Sequence, residues 1–278
     1  MSHPCFRWLH LSDLHFGQAG QPILWPNVKH AFWKDLKDVL QKSGPVNAVL
    51  FSGDMVFSGS DPQFGKMEQE FLRPLMSNLN DWGSKDAVLL AVPGNHDMRR
   101  PENSAAFRIL NSPQSFAEVR VQFWGDTTNE YRRLIDGVFA GYSGWWERHT
   151  HGWDGEGKPP GIQEFKKGML SGDFSATLEV AHRGSPHLRI GVVGLNSTFL
   201  QLGSGDYEGK LALDMQQAAA VLGQVIFAVR HGKAPCTKMG CRRESVPLAG
   251  ACVSKTCRLR RGLGAYLRQR QGFHEYVN

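Results

Sequence analysis

Six residues in this chain have the types and spacing to do chemistry: Asp13, His15, Asp54, Asn95, His96 and Asp97. Two carboxylates about 4 Å apart repel by roughly 4 kcal/mol at an effective dielectric near 20, so Asp13 and Asp54 brought together need a cation between them. Carboxylate, imidazole and amide donors suit borderline divalent ions such as Mn, Fe or Zn. Two such ions about 3.5–4 Å apart can hold a hydroxide, clamp a phosphoryl oxygen and stabilise in-line displacement. Asp54 is the natural bridging ligand, because it stands alone on the middle segment behind Gly53, where the backbone can approach closely. His96 would point at the substrate, with Asp97 available to orient its ring. Taken singly, Asp13 reads as a helix cap and Gly53-Asp54 as a turn dipeptide. Together with Gly94-Asn95-His96-Asp97 they read as a two-metal hydrolase site.

Such a site needs elements that bring three distant segments to one point. Each group follows a short apolar run: Arg7-Trp8-Leu9-His10-Leu11-Ser12, Ala48-Val49-Leu50-Phe51-Ser52-Gly53, and Val88-Leu89-Leu90-Ala91-Val92-Pro93-Gly94. Runs of this length bounded by Gly, Pro and Ser predict buried strands. In open α/β sheets ligands bind at the carboxyl ends of the strands, where all three groups would converge. Asp13 to Asp54 is 41 positions and Asp54 to Asn95 is 41 again, room for one helix and one return strand in each interval. Asn27 is placed to cap a helix running through Lys42 with Gly44 as the stop, and Asp61 to Leu79 predicts a second helix. Residues 103–150 read as helix-rich and aromatic, as core and lid packing rather than a base-stacking platform. Gly152 to Gly161 reads as a loop near a substrate lid. Phe174 to Val180 and Leu188 to Gly194 predict strands that start a second sheet, with His182 and His187 solvated beside the turn between them.

Leu11-Ser12-Asp13-Leu14-His15, Gly53-Asp54 and Gly94-Asn95-His96-Asp97 resemble the calcineurin-like metallophosphoesterases in order and spacing, over about Phe6 to Gly223. The resemblance implies an α/β fold, a four-layer αββα sandwich of two mixed β-sheets flanked by helices. It implies Asp13 and His15 as ligands of a first metal, Asp54 as the bridge and Asn95 as a ligand of the second. His96 matches the catalytic histidine, and the implied cofactors are two divalent metal ions acting on a phosphate-ester substrate.

The family pattern also has a histidine after a further strand and a Gly-His-x-His near the C-terminus, and neither is recognisable here; without the strands that carry them the second sheet is expected to be incomplete. His149-Thr150-His151 comes early, has Arg148 in place of Gly and reads as a surface or lid feature. His231, after the strand-like Val225-Ile226-Phe227-Ala228-Val229, is the better stand-in of the two, but its preferred reading is a plain loop histidine after an apolar run. The expected function is therefore a metal-dependent phosphoesterase. The alternative is a catalytically impaired metal-binding or sensing domain of a larger protein.

Composition divides the chain at the same place. Residues 1–224 carry 21 basic and 24 acidic residues, whereas Val225 to Asn278 carries 11 basic and 2 acidic, so the overall charge of +6 belongs to the tail. Cys236, Cys241, Cys252 and Cys257 fall in that tail, while all eight tryptophans precede Asp154. The expected organisation is a phosphoesterase domain over 5–224 and a basic, Cys-containing tail over 225–278. Three readings of the tail compete, the first preferred: an altered or degraded extension without order, a zinc module, or a basic arm for nucleic acid or acidic surfaces. The core charge gives no footprint for nucleic acid. No run approaches 18 apolar residues, the opening lacks a signal-peptide pattern, and cysteine is scarce before the tail, so the expected location is cytoplasmic, with no membrane partner.

Overall fold

Continuous apolar runs build the first sheet, and strands such as Phe174–Val180, whose buried positions alternate, build the second. The computed structural model describes residues 5–155, 157–180, 188–205, 207, 211–222, 257–258 and 272–277. In the first sheet β1 (Cys5–Leu11), β2 (Ala48–Phe51) and β3 (Val88–Ala91) run parallel, with Leu9 opposite Val49 and Val49 opposite Leu89. Parallel strands buried on both faces need continuous apolar sequence. Accordingly Leu9, Ala48, Val49, Phe51, Val88, Leu89, Leu90 and Ala91 are all buried.

The crossover between β1 and β2 is α1 (Gln21–Ser43), which lays Phe32, Leu36 and Leu40 into the core. Its cap is Gly20, seven residues before the expected Asn27 cap, and a proline stands in its first two positions. Proline is tolerated there because first-turn N–H groups have no intrahelical partner. The second crossover follows α2 (Asp61–Met67), a π-helical turn (Glu68–Leu72) and α3 (Arg73–Asp81). Pro74 explains the wide turn, since its ring cannot donate and would collide with the carbonyl four residues back in a regular helix.

Helices α4 (Ala105–Leu110), α5 (Pro113–Gly125) and α6 (Glu130–Val138) surround a separate apolar cluster that includes Phe123, Ile135, Phe139 and Phe199. Helix α7 (Ala140–Thr150) returns to the main core through Tyr142, Trp145 and Trp146. The aromatic segment 103–150 is core packing, as expected. His149 stacks against Trp145 and Trp146 with centroids 5.9 and 5.8 Å away, so the expectation of a surface or lid feature is corrected at that residue: its ring completes a tryptophan cluster.

The second sheet is antiparallel, in the order β4 (Ile162–Lys167), β5 (Phe174–Val180), β6 (Leu188–Gly194). Its buried Phe165, Phe174, Ala176 and Leu178 belong to the same contiguous core as the first sheet. Strand β4 was not expected from the sequence. Helix α8 (Met215–Leu222) follows the second sheet. In the tail β7 (Cys257–Arg258) and β8 (Gly272–Val277) add to the first sheet, β8 antiparallel to β1 with Trp8 opposite His274. Phe-His-Glu-Tyr-Val is good strand sequence, and β1 offers an edge for it to pair with. His182, His187, His231, Cys236, Cys241 and Cys252 lie outside the described residues.

Candidate metal centre

Beyond the strand ends, the backbones following β1 and β2 stay paired. Ser52 N–H donates to Leu11 O at 2.9 Å, Asp13 N–H to Gly53 O at 3.1 Å, His15 N–H to Asp54 O at 2.8 Å and Phe16 N–H to Met55 O at 3.0 Å. This double ladder fixes where Asp13, His15 and Asp54 sit. The three are also the non-glycine residues with positive φ among the described residues, at 56°, 47° and 54°. Left-handed backbone costs an ordinary residue about 1–2 kcal/mol. Such strain persists where surrounding structure imposes it, and it clusters at functional sites.

The third segment is pressed against the second. A Cβ on Gly94 would lie 2.2 Å from Asp54 Oδ1 and 2.4 Å from Asp54 N, and one on Gly53 would lie 2.9 Å from Gly94 Cα. Only glycine at both positions lets the Asp54 and Asn95 loops meet, which is the physical content of the Gly-Asp and Gly-Asn-His-Asp motifs. His96 N–H then donates to Asp54 Oδ1 at 2.9 Å. On the far side, Gly172 has φ +88° and no room for a Cβ against Pro93 Cδ, so the turn before β5 backs the same loop.

Asp13, His15 and Asp54 each offer a ligand atom, and those atoms lie within 4.8 Å of one another. His15 Nε2 is 3.9 Å from Asp54 Oδ2, and the His15 and His96 rings meet edge to face at 4.5 Å. Burial lowers the His15 pKa against the pull of Asp54 and Asp13, with His96 adding to the lowering. A neutral imidazole is the form that binds a metal. Its buried Nδ1 has no hydrogen-bond partner among the described residues. Two carboxylates and a neutral imidazole converging on half-buried ground fit a divalent cation. Asn95 follows Gly94 on the adjoining loop and lines the cleft beside His96.

Asp97 does not orient the His96 ring. Its fully buried carboxylate accepts from Val56 N–H and Gly94 N–H, both at 2.9 Å, tying the two loops together from behind. Burial pushes its pKa up to about 7 against those hydrogen bonds. The reason for the correction is the tight Gly94 turn, in which Asp97 N–H returns to Gly94 O at 3.2 Å and the carboxylate folds inward. The ring is held instead at Nδ1, 3.0 Å from Phe57 O, and by Phe57's own ring at 5.2 Å. No motif in the sequence marked Phe57; it is a lone aromatic three residues after Asp54.

A second buried carboxylate supports the loops from the side of the second sheet. Asp173 accepts from Leu170 N–H at 3.0 Å, Asn196 N–H at 2.8 Å and Gln217 Nε2 at 3.1 Å. Burial lifts its pKa to about 6. Tyr142 feels the charge of both acids, and its buried hydroxyl donates to Ala91 O at 2.8 Å. Its pKa is raised well above the usual value by burial and then by Asp97 and Asp173.

With this geometry in place, comparison with known families gives a match to the sequence model of the calcineurin-like phosphoesterases over residues 6–192. That span holds all three motif loops and both sheets up to β6. The chain belongs to the calcineurin-like phosphoesterases, a family of metal-dependent phosphoester hydrolases. A search of curated proteins found none that matches. Among the described residues no helix is long and apolar enough to cross a membrane.

Proposed function

We propose that this chain hydrolyses a phosphate ester at a dinuclear centre held by Asp13, His15, Asp54 and Asn95, with His96 acting on the substrate. The observation that carries the reading is the Asp54 carboxylate, which takes His96 N–H on Oδ1 and faces His15 Nε2 with Oδ2. It thus stands between the first and third loops, as a bridging ligand requires. When bound, the divalent ions supply positive charge at the phosphoryl oxygens and an activated water. The buried Nδ1 of His15 and the three positive φ values fit residues kept for a ligand rather than for folding.

The chain's own groups do the rest. A carbonyl only accepts, so the His96 Nδ1 that meets Phe57 O carries a proton. That leaves Nε2 facing the substrate; in the imidazolium form, with a second proton on Nε2, the ring gives that proton to the departing oxygen or steadies its charge, and the Nδ1–H tautomer left behind regains the proton from solvent. Backbone donation from His96 to Asp54 ties this ring's position to the bridging carboxylate, so ligand and acid move together. Asp97, buried beneath both loops, is a positioning residue.

We further propose that residues 5–224 form the phosphoesterase unit, with the two sheets stacked as a four-layer sandwich. Residues 225–278 are an appendage adding β7 and β8 at one sheet edge. The metals are drawn from Mn, Fe and Zn, and the working location is the cytoplasm. The test is metal analysis of the purified chain after exposure to each ion, followed by hydrolysis of phosphomonoesters and phosphodiesters. Turnover that needs the bound ions supports the reading. Bound ions without turnover identify an impaired domain, and no bound ions overturn the site.

A further inference from the structure

The cleft beside His96 has a volume of ≈ 420 Å³, and its walls include Phe57, Asn95, His96, Met98 and Arg99. Phe57 is 39% exposed although its backbone is clamped on both sides. Its N–H donates to Phe16 O at 3.1 Å, and its O faces His96 Nδ1 at 3.0 Å. Its ring lies against the His96 ring with an interplanar angle of 28°. A single exposed apolar side chain is ordinary on a protein surface. A clamped one, stacked on the substrate-facing histidine and walling a cleft, is placed to receive a ring. Arg99 adds charge at the rim, where it pairs with Asp61 at 3.3 Å, the two side chains being 52% and 62% exposed. Exposed pairs of this kind are weak, so the guanidinium can turn to an incoming phosphate.

We propose that Phe57 is the specificity-determining wall of the substrate site, selecting phosphate esters whose organic group is a flat aromatic ring. This deepens the phosphoesterase reading and rests on it. The ring of the ester lies against the open part of Phe57 while its phosphoryl end reaches Asn95 and His96, and Arg99 draws the anion in. Aromatic walls with a few convergent polar groups are how small-molecule sites fix orientation. The aromatic class covers both simple aryl esters and nucleobase-bearing ones, and two ligand pairs separate them.

The test is calorimetric binding to the Mn-loaded full chain. Phenylphosphonate is compared with methylphosphonate, and adenosine monophosphate with ribose 5-phosphate. We expect the aromatic member of at least one pair to bind roughly 3- to 10-fold more tightly, the worth of one aromatic contact. Preference in the first pair alone assigns a plain arene pocket, and preference in the second pair a nucleobase pocket. Phe57→Ala should bring the ratio to about one, and Phe57→Trp should keep it. Equal binding within both pairs in the wild-type chain, or a ratio unchanged in Phe57→Ala, overturns the proposal while leaving the metal site intact. Binding of Mn with no affinity for any of the four ligands overturns the phosphoesterase reading itself, and this inference with it.

Discussion

The second and third loops meet with no room for a side chain at Gly94, and adding one carbon there tests the whole arrangement. In Gly94→Ala the new Cβ would start 2.2 Å from Asp54 Oδ1 and 2.4 Å from Asp54 N. A side-chain oxygen can turn away but a backbone nitrogen cannot, so the loops must part by roughly 1 Å to reach ordinary carbon contact distances. Overpacking of this kind costs about 1–3 kcal/mol. Weakening the hydrogen bond from His96 N–H to the charged Asp54 carboxylate adds about 1–2 kcal/mol. A total of about 2–5 kcal/mol lowers the melting temperature by roughly 5–15 °C in a domain of this size. The same displacement moves Asp54 relative to Asn95, so affinity for Mn should fall about 10- to 100-fold. Calorimetric melting and Mn titration read both effects. Gly137→Ala is the control, because its Cβ meets nothing within 4 Å and alanine favours helix α6. A Gly94→Ala chain that melts and binds Mn like the wild type would refute the account of the loops.

Three further outcomes follow from individual groups. His96→Ala should lower turnover about 10²- to 10⁴-fold while Mn content stays near wild type, since its backbone N–H to Asp54 survives; parallel loss of metal would make His96 a ligand. Asp173 has a folded pKa raised by burial from 3.8 to about 6, so the stability it contributes is full below pH 4 and is lost as pH climbs through 6. Urea midpoints measured from pH 4 to 7 should therefore fall less steeply in Asp173→Asn than in the wild type, and parallel curves would contradict the burial argument. Tyr142→Phe removes a buried donor from Ala91 O and should cost about 1 kcal/mol by urea unfolding, with Mn affinity kept.

The sequence made the parallel strands and their motif loops legible because each signal was local. The mostly apolar runs over Leu9 to Leu11, Ala48 to Phe51 and Val88 to Ala91 are soon followed by Ser12, Ser52 and Pro93-Gly94, and the structure brings the residues after them to one place. Strands β5 and β6 fell where alternation placed them. The errors came where tertiary context decides. Helix α1 starts at Gln21, with one proline tolerated in its first turn and Pro26 inside it, two residues that discourage a helix when read from sequence alone. Asp97 adjoins His96 in sequence, yet the tight turn at Gly94 sends its carboxylate under the loops. Phe57 carries no motif, and its importance arises from a carbonyl and a ring that meet His96 only in the folded chain. The strained φ angles of Asp13, His15 and Asp54 have no sequence signature at all, since Asp and His are unremarkable in loops.

The central claim is that Asp54 bridges two ions, and metal counting tests it most directly. Wild-type chain and Asp54→Asn would each be stripped, reloaded with Mn and analysed for metal per chain. The Asp54 oxygens lie between His15 Nε2 and His96 N–H, and a neutral amide there cannot hold two dications. The account predicts two ions per wild-type chain and at most one in the variant. Two ions retained in Asp54→Asn would contradict it.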